Sequence, residues 1–208
     1  MIERLIYKFV DNLGKSNNYN VQQIEQIKYT LKVMLFEIIK LSLTVILFSI
    51  FGYFYESLFI IFLMAITKPF IGGYHEDTQV KCFIATIILV FFIIFLAEHS
   101  RLNLISCIMV NLLSIFSIYN RAPVIDKRMP ISREDLIKRN RIIGLSVVLI
   151  LSIVSIAIYK FTWISQTIVW TILVQAILMF NKRIWGGEII ENEEIFRGIC
   201  IIFSSCIN

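Results

Sequence analysis

The sequence is short of charge, of proline and glycine, and of histidine, and each shortage excludes something. Charged residues make up 17% of the 208 positions and hydrophobic ones 58%; the mean hydropathy is +0.78. Soluble domains are nearer half apolar and a quarter charged, and a chain this small has too little interior to hide the surplus. A water-soluble globule is therefore excluded. With three prolines and eight glycines there is no low-complexity segment, and no internal repeat is visible. The four cysteines are Cys82, Cys107, Cys200 and Cys206. They form no CxxC and no metal-ligand spacing, so we expect reduced thiols, no metal and no cofactor. Neither HExxH nor GxSxG occurs, which removes the zinc-protease and serine-hydrolase signatures. Charges interrupt residues 1–32 every few positions, so no secretory signal peptide is expected.

What the chain does have is long uncharged runs, at 41–55, 57–67, 83–97, 102–120, 142–159 and 161–181. A helix needs about 20 residues to cross ~30 Å of hydrocarbon. The last three runs approach that length and the first three are short. The abundance of Phe and Ile favours lipid-facing helices over a β-barrel, whose strands would alternate polar and apolar. Basic residues decide the number of spans. If 41–55 and 57–67 form a hairpin turning at Glu56, there are six spans with both termini cytoplasmic. Eighteen of the 20 Lys and Arg then share one side, leaving only Arg101 and Lys160 opposite. A five-span arrangement would put the two most basic segments on opposite faces. The expected fold is thus all-α, a polytopic six-helix transmembrane bundle forming a single domain over 1–208. Residues 1–37 form cytoplasmic or interfacial helices, 38–181 the membrane bundle and 182–208 a cytoplasmic tail.

Flanking segments add detail. Ile2, Leu5, Ile6, Phe9 and Leu13 share one helical face opposite Arg4, Lys8, Asp11 and Lys15, which predicts an amphipathic helix at the interface. A second helix, around 21–36, leads into the membrane. Ser132 is placed to cap the helix entering the fifth span, and 198–207 is apolar but too short to span. A net charge of +5 is spread beside the apolar runs rather than gathered in a stripe. That distribution points to membrane lipids as the partner, not nucleic acid.

The chemically distinctive segment is the loop 68–82, Lys-Pro-Phe-Ile-Gly-Gly-Tyr-His-Glu-Asp-Thr-Gln-Val-Lys-Cys. It holds one of only two histidines and one of the four cysteines. An imidazole beside a thiol takes its proton and leaves a strong nucleophile. On an unbroken helix, His75 and Cys82 would stand ~10 Å apart along the axis, far beyond the ~3 Å that proton transfer requires. They meet only if His75 precedes the helix and the chain folds back. Gly72 and Gly73 supply the freedom for that bend, and Asp77 or Thr78 can cap a helix carrying Cys82 in its first turns. The positive end of such a helix favours the thiolate. From the pattern alone, an inert thiol beside an interfacial histidine fits about as well. Glu76 and Asp77 suit solvated or capping carboxylates. His99, beside Glu98 and Arg101, reads as interfacial, Cys107 as a packing residue, and Glu56 as a solvated carboxylate at the outer turn.

Gly72-Gly73-Tyr74-His75, then six residues and Cys82, within a small six-span protein, resembles the accessory gene regulator B (AgrB) family. The amphipathic lead-in and a later basic loop with Ala122-Pro123 and Pro130 extend the resemblance over nearly the whole chain. It implies a thiol endopeptidase of the bacterial cell membrane, active on the cytoplasmic side and working in quorum sensing. Such an enzyme cuts a short AgrD-like propeptide through an acyl-enzyme and helps close its thiolactone or lactone ring. By that resemblance Cys82 is the nucleophile and His75 the general base. Seven residues before the His the family usually carries Arg; here Lys68 keeps the charge without the bidentate fork. Backbone N–H groups near Gly72 and Gly73 are candidate oxyanion donors. The basic loop 121–141 suits an acidic substrate tail, and also suits orientation and lipid contact. A homodimer is kept open. Two rival readings remain, a transporter and a non-catalytic peptide-binding adaptor. The first would place polar or broken positions inside the spans, whereas here the polar residues are expected to gather at one loop.

Overall fold

The computed structural model describes residues 20–72, 78–124, 134–160 and 162–180, with two minimal strands beyond them. The helices are α1 Val21–Ile50, α2 Phe54–Ile71, α3 Gln79–His99, α4 Leu104–Arg121, α5 Glu134–Ala157 and α6 Thr162–Leu178. Strands β1 (Ile184–Trp185) and β2 (Glu188–Ile189) pair antiparallel, Ile184 opposite Ile189. At two residues each, they leave the all-α character intact. Five segments are long and apolar enough to cross a membrane: Thr30–Ile50, Phe54–Ile71, Gln79–His99, Leu104–Arg121 and Glu134–Ala157. Trp163–Leu178 is apolar but shorter. The chain is a multi-pass helical membrane protein, as its composition required. The expected amphipathic helix at 2–13, the Ser132 cap, the stretch 198–207, Cys200 and Cys206 lie outside the described residues.

Helices run past the charges that bound the uncharged runs, so the two readings of length differ. The run 41–55 belongs to a 30-residue helix, which absorbs Lys40 by pairing it with Glu37 at 2.6 Å, one turn earlier. Long basic side chains also lay their stems on apolar surface while the head stays polar. In the same way 83–97 lengthens to the 21 residues of α3. The short helix is instead α6, with 17 residues. The turn between the first two helices is also displaced from the expected Glu56. It falls at Phe51–Tyr53, where Gly52 takes φ +87° and the Tyr53 N–H donates to the Phe48 carbonyl at 2.9 Å. Glu56 lies in the first turn of α2 and is half-buried. Its Oε2 is buried with no hydrogen-bond partner among the described residues, so the solvated carboxylate is corrected.

By contact the chain divides into two compact units, Met1–Phe54 and Tyr55–Asn208. The second is organised around α6, which packs on α3, α4 and α5, while α4 also packs on α5. Leu63 and Ile71 of α2, Ile118 of α4, Val148 of α5 and Ile168, Ile172, Ala176 and Met179 share one buried cluster. Lipid is as apolar as leucine, so helices in a bilayer associate through close packing and polar contacts rather than through the hydrophobic effect. The contacts follow that rule. The Ser165 hydroxyl donates to the Ser155 carbonyl at 2.8 Å, and the Asn111 amide to Ser155 Oγ at 3.0 Å. Thr67 Oγ1 lies 2.6 Å from Gln175 Oε1, and Trp170 Nε1 donates to Ser100 Oγ at 2.7 Å. Asn111 Oδ1, Ser152 Oγ and Gln175 Nε2 are buried without a partner among the described residues. Polar residues therefore do not gather only at the loop; an uncharged polar seam runs through the bundle interior.

Candidate active site

Cys82 owes its position to a cap. Thr78 has extended backbone (φ −117°, ψ 147°) and is the N-cap of α3; its hydroxyl oxygen accepts from the Lys81 N–H at 3.3 Å. That contact satisfies one of the donors that every helix start leaves without an intrahelical partner. Cys82 follows at the fourth helical position, where its N–H closes the first full turn onto the Thr78 carbonyl at 3.0 Å. The Thr86 hydroxyl donates to the Cys82 carbonyl at 2.8 Å, holding the next turn. The Cys82 side chain is half-buried and in no disulfide. Cα–Cβ bonds on a helix tilt toward its N-terminus, so the thiol leans toward the end where the N–H groups and the positive dipole lie.

The segment before the cap begins at the end of α2. Lys68, half-buried, occupies its last turn, followed by Pro69. The Gly72 N–H donates to the Lys68 carbonyl at 2.9 Å, which corrects one expectation: that N–H is already engaged and is not available to an oxyanion. Gly72 turns into the left-handed region at φ +76°, where a side chain would be strained. It bridges Val124 in parallel fashion, and the Val124 N–H donates to the Ile71 carbonyl at 3.0 Å. Gly73, Tyr74, His75, Glu76 and Asp77 lie outside the described residues, so the structure brings the start of α3 and the end of α2 into view but not the imidazole.

Around this end, basic residues of the 121–141 segment hold helices together. Arg141 donates to the Tyr119 carbonyl at 3.0 Å and lies 5.3 Å from that ring's centroid. The Arg121 guanidinium sits 4.8 Å from the Phe180 centroid. Gly144 of α5 faces the last turn of α2 so closely that an added Cβ would lie 2.9 Å from Ile71 Cγ2. Sequence reasoning passed over Gly144, although an isolated glycine inside an apolar helix usually marks a close approach. It passed over Asn111 and Gln175 too, whose signal was an amide inside an uncharged run.

His99 ends α3 with Nδ1 donating to the Phe95 carbonyl at 3.0 Å, its ring stacked on Phe95 at 4.3 Å. Cys107 is buried, 2% exposed. No group of acidic, histidine and cysteine side chains suited to a metal ion occurs among the described residues.

Comparison with known proteins agrees with the motif. The family model described as accessory gene regulator B matches residues 2–179. Two Clostridium perfringens (strain 13 / Type A) proteins are similar, "Putative AgrB-like protein 1" and its namesake numbered 2. The first is 46% identical over 181 residues, covering 87% of this chain and 97% of that protein. The second is 25% identical over 169 residues, covering 76% and 79%. No solved structure matches the chain significantly.

Proposed function

The chain belongs to the accessory gene regulator B family, and from that premise we propose that it is a membrane-embedded cysteine endopeptidase acting on a short AgrD-type signalling propeptide. Cys82 is the nucleophile and His75 its base. The observation that carries the reading is the position of Cys82, partly exposed on the first turn of a capped helix. Chain connectivity supports the pairing. Three residues separate His75 from Thr78, a reach of at most ~11 Å, and Cys82 lies one turn further on, ~6 Å along the axis. The two groups are tethered within range of each other, with Gly72 turning the chain at the far end.

In the reaction His75 takes the thiol proton as Sγ attacks the scissile carbonyl. The imidazolium then protonates the departing amine, releasing the carboxy-terminal fragment and leaving a thioester on Cys82. A Cys or Ser of the bound peptide attacks that thioester, its proton passing to His75, and Cys82 departs as the ring closes. Thioester exchange onto a thiol is nearly balanced in energy while hydrolysis runs downhill, so water must be excluded and the peptide nucleophile held close. A site among apolar helices at the inner leaflet of the bacterial cell membrane meets both needs. Lys68 supplies a cation at the end of α2 suited to a substrate carboxylate, and Gly73 is the remaining candidate for an oxyanion donor.

The test is coexpression with a short propeptide bearing an amphipathic helix, a Cys- or Ser-containing core and an acidic tail. Mass spectrometry should find a cyclised peptide and an adduct on Cys82 with the wild type, and neither with Cys82→Ala. Unchanged processing in Cys82→Ala cells would end the proposal. The buried polar seam lends some support to a transporter, and uptake of labelled solute that survives Cys82→Ala would favour it. The seam residues are neutral, whereas coupled transport usually relies on ionisable groups within the spans; Glu56, with a buried carboxylate oxygen near the start of α2, is the ionisable group such a reading would have to use.

A further inference from the structure

We propose that the junction of α4 and α5 is a binding site for an anionic phospholipid headgroup, anchored by Arg141. The inference needs only that the chain spans a membrane, and is independent of the protease reading. Arg141 is exposed, yet its guanidinium does not hang free. Nη2 donates to the Tyr119 carbonyl at 3.0 Å, and the central carbon stands 5.3 Å from the Tyr119 ring centroid. Those two contacts hold the head in place and leave its Nε–Nη1 edge, a planar fork that matches two oxygens of a phosphate. Lys138 lies three residues earlier on α5, hence on the same side of that helix, and is also exposed. Among the described residues no carboxylate is paired with either cation.

The surface that continues from this point is apolar. Tyr119, Phe116, Leu112 and Met109 follow one another at intervals of three and four residues, so they share one face of α4. All four are exposed. From Tyr119 to Met109 the face runs ~15 Å, about half of the ~30 Å hydrocarbon core and so the depth of one leaflet's acyl chains. A tyrosine at its polar end suits the headgroup level, where amphipathic rings collect. A cationic fork at the head of a leaflet-deep apolar face fits a phospholipid, which carries its charge and its tails in that arrangement. An acidic peptide tail or free phosphate would use the charge and leave the apolar face without a role. Setting membrane orientation requires charge alone and is indifferent to how a guanidinium is held. Here a carbonyl and a ring pre-organise the head, which lowers the ordering cost of binding.

The experiment titrates the purified full-length protein in detergent with dioleoyl phosphatidylglycerol or dioleoyl phosphatidylcholine. Native mass spectrometry reads the dissociation constant of the first bound lipid. The wild type is expected to hold phosphatidylglycerol at least ~fivefold more tightly, the factor that one well-placed cation contributes. Arg141→Gln should abolish that preference by weakening phosphatidylglycerol ~fivefold, with phosphatidylcholine unchanged within about twofold. Arg141→Lys keeps the charge without the fork and should lose most of the preference as well. Arg139→Gln removes the same charge ~200° around α5 from Arg141 and should bind as the wild type does. Equal losses at positions 139 and 141, wild-type binding by Arg141→Lys, or a wild type without preference would mean diffuse attraction to charge and overturn the proposal. Displacement of phosphatidylglycerol by millimolar inorganic phosphate would overturn it in favour of a free-anion site. Displacement by a hexaglutamate peptide, lost in Arg141→Gln, would overturn it in favour of an acidic peptide. If Arg141→Gln fails to accumulate because the tie to Tyr119 is gone, Lys138→Gln, which leaves that tie intact, decides. A preference reduced ~threefold or more supports the proposal, and an unchanged preference overturns it.

Discussion

Cys82 and Cys107 occupy the same local structure at opposite ends of the bundle. Each is the fourth residue of a helix whose cap, Thr78 or Asn103, accepts from the N–H three positions on, at 3.3 and 2.8 Å. Each closes the first turn onto its cap carbonyl, at 3.0 and 2.9 Å. Each even follows a histidine, seven residues before Cys82 and eight before Cys107. Cap and helix dipole are therefore common to both and cannot by themselves distinguish a nucleophile. The surroundings differ. Cys107 is turned into the bundle, and its Sγ accepts from the Asn111 amide at 3.6 Å. His99 sits inside the preceding helix, stacked on Phe95. Cys82 is partly exposed, and the histidine before it in sequence stands outside its helix-forming segment, beyond the Thr78 cap. The chain carries its own control: the same backbone motif with and without an accessible thiol.

Several measurements would break or sharpen that contrast. The largest effect should come from the thiols themselves. Cys82→Ala should abolish propeptide processing, a loss of at least ~10³-fold, while Cys107→Ala keeps it within about twofold; equal losses would erase the distinction. Alkylation of the intact protein comes next. Iodoacetamide should modify Cys82 at least ~100-fold faster than Cys107, since burial slows attack, and denaturation should bring the two rates together. The paired histidines should diverge as well, His75→Ala losing processing by ~10²-fold or more and His99→Ala leaving it unchanged. Removing the caps should matter less. Thr78→Ala, at a cost of about 1 kcal/mol to the helix start, should slow Cys82 alkylation a few-fold, whereas Asn103→Ala should not affect Cys82 at all. The smallest effect should be Asn111→Ala, which removes the bonds to Ser155 and Cys107 and should lower stability by about 0.6 kcal/mol in steric-trapping measurements without altering cleavage.

Much of this was legible in the residues. Composition required membrane helices, and the Thr78 cap before Cys82 was readable from the loop, because capping depends on one side chain and its local backbone. The break between α1 and α2 was expected, but at Glu56 rather than at Gly52. Uncharged runs underestimate helices whose end charges are paired or reach away from lipid, as Lys40 does. The polar seam and the Gly144 contact were not seen, since both depend on which helix faces which. A serine at position 155 looks the same in sequence whether it faces lipid or Asn111. The resemblance supplied the site roles, and local chemistry alone left His75 and Cys82 as one of two equal readings.

The Gly72–Val124 bridge also orders events during synthesis. The loop carrying the proposed base leaves the ribosome early, complete with the helix that bears the thiol. Its anchor at Val124 is not translated until α4 has been made, and the seat at Gly144 later still. A nascent chain stalled after α3 would thus hold both proposed reacting groups yet lack the bridge and the close contact that fix the end of α2. On the proposed function, cleavage competence is expected to arrive only once the fifth helix is in place, so that a half-built chain does not react before its scaffold is complete.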